Sequence, residues 1–97
     1  MITESLRFPH LHNYPGKVLD VTCTDGSITF TLEGAPDVAP ITLPACQVMD
    51  EITPTATATA HVWSVWLDET SVRIDEGNVR AIQRMVERAI AGEAPML

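Results

Sequence analysis

The sequence has few of the residues on which many binding sites and covalent frameworks depend. Its 97 residues include two cysteines, Cys23 and Cys46, and a single lysine, Lys17. Structural zinc sites draw on close pairs of Cys or His, and these two thiols are isolated. No run approaches the roughly 18 apolar residues of a membrane-spanning helix. These absences predict a chain that folds without disulfides and without a cofactor.

Signatures of export and catalysis are also missing. The segment 1–9 has neither a basic region nor a continuous apolar stretch, which predicts no secretory signal, reduced thiols and a cytoplasmic location. The five glycines are scattered, so there is no phosphate-binding loop. No serine sits in a nucleophile elbow, and neither cysteine has a neighbouring base. The sequence therefore favours a non-catalytic protein over an enzyme.

Positive charge is scarce as well. Six basic residues stand against thirteen acidic ones, for a formal charge of −7. A protein that neutralises many phosphates needs a basic face, so this balance disfavours nucleic acid and anionic membranes as partners. It is compatible with a basic protein partner and with simple solubility.

What the sequence does have is enough apolar surface for one core. A hydrophobic fraction of 45% and a charged fraction of 20% are those of a globular chain, and this length predicts a single domain over 1–97. Pro9 and Pro15 interrupt any helix near the N-terminus, so residues 1–16 are predicted to form an extended arm. Residues 17–75 are predicted to be β-rich, and residues 76–91 helical.

A β-hairpin has the clearest local pattern. Asp25-Gly26 separates two β-prone runs, a pairing typical of a tight hairpin turn. Apolar residues alternate with polar ones on both sides of this turn, which predicts one buried face and one solvated face. The predicted inward side chains are Leu19, Val21, Cys23, Ile28, Phe30 and Leu32.

Further strands follow in the middle of the chain. Residues 41–43 are predicted to form a short strand that continues past a bend through 46–49, and 50–54 a loop. Residues 61–67 favour a strand with Trp63 and Trp66 on opposite faces, because successive side chains alternate. After a polar turn, residues 71–74 are predicted to return as a short strand.

The C-terminal segment has helical periodicity. Asp75 is a good N-cap, and apolar residues recur at steps of three and four residues at Val79, Ile82, Val86 and Ile90. The whole order predicts an α+β fold: a small antiparallel sheet of about four to five strands, built from hairpins and covered by one amphipathic helix. A partly closed barrel with a helix is the alternative architecture.

Candidate functional residues fall into two groups. His10 and His12 are two apart in an extended segment, so their rings point to the same side and are candidate metal ligands. Arg80, Arg84 and Arg88 are four apart on the predicted helix and form a ridge that could dock an acidic partner. Trp63 and Trp66 fall on opposite faces of one strand, so at most one is expected at the centre of the core, and the sequence leaves open which of them is exposed. Trp66 is a candidate partner-binding residue, because tryptophan is common in binding hot spots.

These features support three functional hypotheses. The first is a small non-catalytic protein-binding or regulatory module, with homodimerisation as one form, because unblocked edge strands pair with other chains. The second is a small enzyme or a metal- or ligand-binding protein that uses His10, His12, His61 or a cysteine. The third is an acidic mimic of nucleic acid that inhibits a DNA-binding protein.

Overall fold

A computed structural model describes residues 3–55 and 61–93, so most of the Thr/Ala-alternating patch at 55–59 lies outside the described residues. Seven strands form two antiparallel sheets, with orders β1-β2-β3-β4 and β5-β6-β7. The predicted α+β fold is confirmed, and within the described residues the sheets do not join into a closed barrel. The elements in chain order are β1 (Thr3–Phe8), β2 (Val18–Thr24), β3 (Ser27–Glu33), β4 (Ile41–Pro44), α1 (Ala45–Val48), a 3-10 turn (Met49–Glu51), β5 (Ile52–Pro54), β6 (Val62–Leu67), β7 (Thr70–Asp75) and α2 (Glu76–Glu93).

The predicted hairpin is confirmed as β2 and β3. Asp25 and Gly26 have φ of 50° and 79°, and they connect the closing pair Thr24 and Ser27. Positive φ at both turn residues is the conformation that matches the twist of a two-residue hairpin. All six predicted inward side chains are buried, as members of one hydrophobic core.

The predicted N-terminal arm contains a strand. Residues 3–8 pair with β2, which places Leu6 beside Val21 and Phe8 beside Leu19. Phe8 is buried and Leu6 is partly buried against the core. An edge strand with two inward apolar residues gains enough packing to form a regular ladder, so only the segment 9–17 is a loop.

Two predictions for the middle of the chain are wrong. Residues 46–49 do not continue a strand but lie in α1 and the following 3-10 turn, because Ala45 and Val48, three residues apart, are both buried on one helical face. Within the predicted loop 50–54, Ile52 begins β5, where it pairs with Val65 of β6 and joins the core.

The second sheet has β6 at its centre. Val65 and Leu67 are buried in the core and Trp63 packs against it, so these three side chains share the inner face, as predicted. Asp68, with φ of 58°, and Glu69 form the two-residue turn into β7.

The helix α2 ends two residues beyond its predicted limit and packs against both sheets. Val79, Ile82 and Val86 are buried, whereas Ile90 is 42% exposed, so the predicted apolar stripe stops before Ile90. Met85, which the same periodicity places alongside the stripe, is buried among the core residues. Within residues 3–55 and 61–93, no helix combines the length and the apolar character needed to cross a membrane.

Candidate functional site

The outer face of the second sheet carries an exposed large hydrophobic side chain, that of Trp66. Because Trp63, Val65 and Leu67 point to the core, alternation places Val62, Ser64 and Trp66 on the opposite face. We call this surface the Trp66 face. Its members, which the strand registers bring side by side, are Thr53, Val62, Ser64, Trp66, Ser71, Arg73 and Asp75. Val62 and Ser64 are buried within this face, whereas Thr53, Trp66, Arg73 and Asp75 are exposed.

Trp66 is held in a defined position on this face. Its side chain is among the exposed large hydrophobic groups, with 36% of the residue accessible. The indole Nε1 donates a hydrogen bond of 3.1 Å to Thr53 Oγ1 on the neighbouring strand. Ser71 lies opposite Trp66, and its Oγ is buried with no hydrogen-bond partner among the described residues. The ring is therefore fixed across β5 and β6 while much of it faces solvent.

Arg73 supplies the positive charge of the Trp66 face. It pairs with Ser64, two register positions from the Ser71–Trp66 pair, so its side chain is a diagonal neighbour of the indole on the same face. Its side chain is exposed and takes part in no ion pair or hydrogen bond within residues 3–55 and 61–93. A free guanidinium and an exposed indole thus share one rigid sheet surface.

The backbone beneath Arg73 is pinned by the loop 9–17. The Arg73 amide donates to Asn13 Oδ1 at 2.8 Å, and Asn13 Nδ2 donates to the Ser71 carbonyl at 2.7 Å. The His12 amide donates to the Arg73 carbonyl at 3.0 Å. One asparagine side chain and one loop amide therefore take the place of a neighbouring strand along β7.

The arginine ridge predicted on the helix is largely engaged within the molecule. Arg80 pairs with Glu76 at 3.0 Å, and Arg88 Nε contacts both carboxylate oxygens of Glu4, at 3.1 and 3.2 Å. Arg84 makes no ion pair with any described residue. Of the ridge, Arg84 alone retains an uncommitted charge in this part of the chain.

The histidines lie at the end of the Trp66 face, around the start of α2. His10 and His12 both line an open cleft of about 310 Å³, together with Asp75. His12 Nε2 is 2.6 Å from Asp75 Oδ1, and His61 Nδ1 is 2.9 Å from Glu76 Oε2. These contacts are ion pairs when the imidazoles are protonated and hydrogen bonds when they are neutral. The remaining described residues that line the cleft are Pro9, Leu11, Pro15 and Gly16.

The cleft has little of the chemistry of a metal site. Across the described parts of the chain, no three His, Cys, Asp or Glu side chains converge so that they could hold one ion. Cys23 is buried on β2, and Cys46 is exposed on α1. Metal binding by His10 and His12 stays a prediction, with only these two imidazoles and the Asp75 carboxylate at the cleft.

Sequence reasoning singled out Trp66 but missed Arg73 and Asn13. The alternation of Val72 and Ile74 with polar neighbours already placed Arg73 on an outer face. Its position beside Trp66 depends on the β6–β7 register, which the short Asp68-Glu69 turn sets. Asn13 carried no pattern of its own, because its role comes from a loop that folds back 60 residues away in sequence.

Comparison with protein-family models, with curated proteins and with solved structures finds no match to this chain.

Proposed function

We propose that this protein is a small non-catalytic protein-binding module and that the Trp66 face is its binding surface. The observation that carries the proposal is the presence, on one sheet face, of an exposed, positioned indole and a guanidinium that makes no ion pair with any described residue. Tryptophan and arginine are among the residues most enriched in binding hot spots. The hydrogen bond to Thr53 orders Trp66 before binding, which lowers the entropy lost on association.

The two anchors specify the partner's chemistry. An indole face buries apolar side chains, and the planar guanidinium of Arg73 recognises a carboxylate through two parallel hydrogen bonds. The matching partner is therefore a protein segment with an apolar side chain next to an aspartate or glutamate. On the helix, Arg80 and Arg88 are paired within the molecule, so Arg84 is the helix arginine that competes with Arg73 for such a carboxylate.

The cleft at His10 and His12 supports a second candidate, a small-ligand binder. The contact of 2.6 Å between His12 Nε2 and Asp75 Oδ1 orients one imidazole, as a carboxylate behind a ligating histidine does in many binding sites. Metal analysis of the purified protein tests this candidate. A stoichiometric metal that is lost in His12→Ala would favour it over the protein-binding module, and a metal-free protein with unchanged thermal stability in Zn²⁺ would remove the metal-binding form of it.

The nucleic-acid mimic draws less support. A mimic must present free carboxylates in place of phosphates. Five of the thirteen acidic residues are instead committed to arginine or histidine partners within the chain, namely Glu4, Asp20, Glu33, Asp75 and Glu76.

Peptide selection tests the proposed function and requires no identified partner. Random linear peptides displayed on phage are selected on the wild-type protein alone, so that the selection itself favours no part of its surface. We expect the enriched peptides to combine an acidic and an apolar residue. Their affinity should fall about tenfold or more in Trp66→Ala and in Arg73→Glu, because each variant removes one hot-spot contact.

Arg84→Glu is the matched control, since it reverses another unpaired arginine away from the Trp66 face. The proposal predicts nearly unchanged affinity for this variant. Peptides that bind Trp66→Ala as tightly as wild type, or that respond equally to Arg84→Glu and Arg73→Glu, would contradict it.

A further inference from the structure

The edge strands of the two sheets, β1, β4, β5 and β7, differ in how they are protected from pairing with another chain. This difference points to a second interaction surface. The outer edge of β7 is covered by Asn13 and by the His12 amide. The edge strand β4 has four residues, ends at Pro44 and follows Pro40. The edge strand β5 has three residues and ends at Pro54. Short edges and proline are the devices that keep sheets from pairing with other chains.

The edge strand β1 has none of these protections. It spans six residues, contains neither proline nor glycine, and has no strand on its outer side among residues 3–55 and 61–93. The charged side chains of β1, which commonly guard an edge, are drawn away from it. Arg7 reaches across the sheet to Glu33 at 2.6 Å, and Glu4 contacts Arg88 on α2.

The hydrogen-bond alternation identifies which backbone groups are free on this edge. In a two-residue hairpin the closing pair, here Thr24 and Ser27, exchanges both hydrogen bonds. Alternate residues of β2 therefore bond to β3, and Cys23, Val21 and Leu19 bond to β1. Their register partners are Glu4, Leu6 and Phe8. The amides and carbonyls of Ser5 and Arg7 consequently point outward.

We infer that β1 pairs antiparallel with β1 of a second copy of this chain, so that two four-stranded sheets join into one of eight strands. The strand is complementary to itself, because Ser5 and Arg7 lie on the solvated face and Leu6 and Phe8 on the core face. A two-fold axis perpendicular to the sheet places the solvated faces of both copies on one side of the joined sheet and their core faces on the other. Such two-fold pairing is the commonest symmetry of protein oligomers.

The register that we assign is centred on Leu6. Leu6 then faces Leu6 of the second copy, which covers a side chain that is only partly buried in one chain. Ser5 faces Arg7 of the second copy, and each of these two pairs exchanges both of its outward hydrogen bonds. Each chain carries a formal charge of −7, so repulsion between copies opposes the dimer, and screening by salt should strengthen it.

A proline substitution tests the pairing with little effect on the fold. Ser5→Pro removes one outward amide and no amide that β2 uses, and proline is tolerated on an edge strand when its nitrogen faces solvent. Ser5→Ala is the matched control, because both variants lose the Ser5–Thr22 hydroxyl contact and only alanine keeps the amide. The mass is measured by light scattering after size exclusion over a range of concentrations.

We expect wild type and Ser5→Ala to approach twice the monomer mass as concentration rises, at lower concentrations in high salt. Ser5→Pro should require about tenfold or more protein to do so. Wild type that stays monomeric throughout overturns the inference, as does a dimer that Ser5→Pro leaves intact or that Trp66→Ala dissociates.

Amide hydrogen exchange of the wild-type protein provides the second measurement, which needs no variant. The Leu6 amide is bonded within the chain and should be protected at every concentration. The Ser5 and Arg7 amides should gain protection only as the dimer forms. Dimerisation without a change at Ser5 and Arg7 would place the interface elsewhere and contradict the inference.

Discussion

The outer faces of the two sheets are built from different side chains. On the first sheet, one register row crosses all four strands through Ser5, Thr22, Thr29 and Thr42. Its hydroxyls bond to one another, with Ser5 to Thr22 at 3.3 Å and Thr29 to Thr42 at 2.8 Å. On the second sheet the outer face carries an exposed indole and an unpaired guanidinium. The first face satisfies its own polar groups, whereas the second retains two anchors for another molecule.

The two six-residue edge strands, β1 and β7, differ in whether their outward backbone groups are hydrogen-bonded. Along β7, the outward amide and carbonyl of Arg73 are both bonded to the loop 9–17. Along β1, the equivalent groups of Ser5 and Arg7 have no backbone partner within the described parts of the chain. Within the described residues, the first sheet therefore leaves its β1 edge unpaired, whereas the second sheet has a covered β7 edge and exposes Trp66 and Arg73 on its outer face.

The largest expected effect on stability is the difference between a substitution on the inner face of the first sheet and one on its outer face. Phe30→Ala removes a fully buried ring from the core, which should lower the free energy of unfolding by about 3–5 kcal/mol. Thr29→Ala, one residue away on the outer face, should cost about 1 kcal/mol or less. Urea unfolding measures both, and equal losses would contradict the assignment of the two faces.

An intermediate effect is expected at the covered edge of β7. Asn13→Ala removes two hydrogen bonds and should cost about 1–3 kcal/mol, because a carbonyl and an amide of β7 lose their partner. Asn13→Asp can still accept from the Arg73 amide but cannot donate to Ser71, so its loss should be smaller. The same unfolding experiment, with exchange of the Arg73 amide, checks this order. An Asn13→Ala variant as stable as wild type would show that the loop does not protect the edge.

The smallest effect concerns the helix arginines. Arg88→Ala breaks the contact with Glu4 near the open β1 edge, and an exposed pair of this kind is worth about 1 kcal/mol or less. Arg84→Ala, one helical turn earlier and unpaired in the described residues, should change the unfolding free energy still less. A double-mutant cycle with Glu4→Gln isolates the pair, and a coupling energy of zero would remove it from the account.

The sequence predicted the elements whose patterns are local. The β2–β3 hairpin follows from Asp25-Gly26 and the flanking alternation, and α2 follows from its period of three and four residues. The errors arose where a partner distant in sequence decides the structure. Ile52, predicted to lie in a loop, forms a strand because β6 lies beside it. The prediction of an extended N-terminal arm left its partner open, and the structure pairs Leu6 with Val21 and Phe8 with Leu19 of β2.

The residues of the candidate site also differ in whether a local sequence pattern or a contact distant in sequence determines their role. Alternation placed Trp63 and Trp66 on opposite faces but left open which of them is exposed, and the packing of Trp63 against the core decides it. The helix spacing likewise predicted an arginine ridge, but it gave no information on Glu4, which lies 84 residues from Arg88 and engages it. Arg73 joins Trp66 only through the pairing of β6 with β7.

The most direct test of the central claim follows the two indole N–H resonances in an NMR titration of the protein with a phage-selected peptide. The two tryptophans serve as probe and control, since Trp66 lies on the outer face and Trp63 packs against the core. We predict that the Trp66 resonance shifts in step with binding while the Trp63 resonance stays nearly in place. A shift of Trp63 alone, or of neither indole during saturable binding, would contradict the assignment of the Trp66 face as the binding surface.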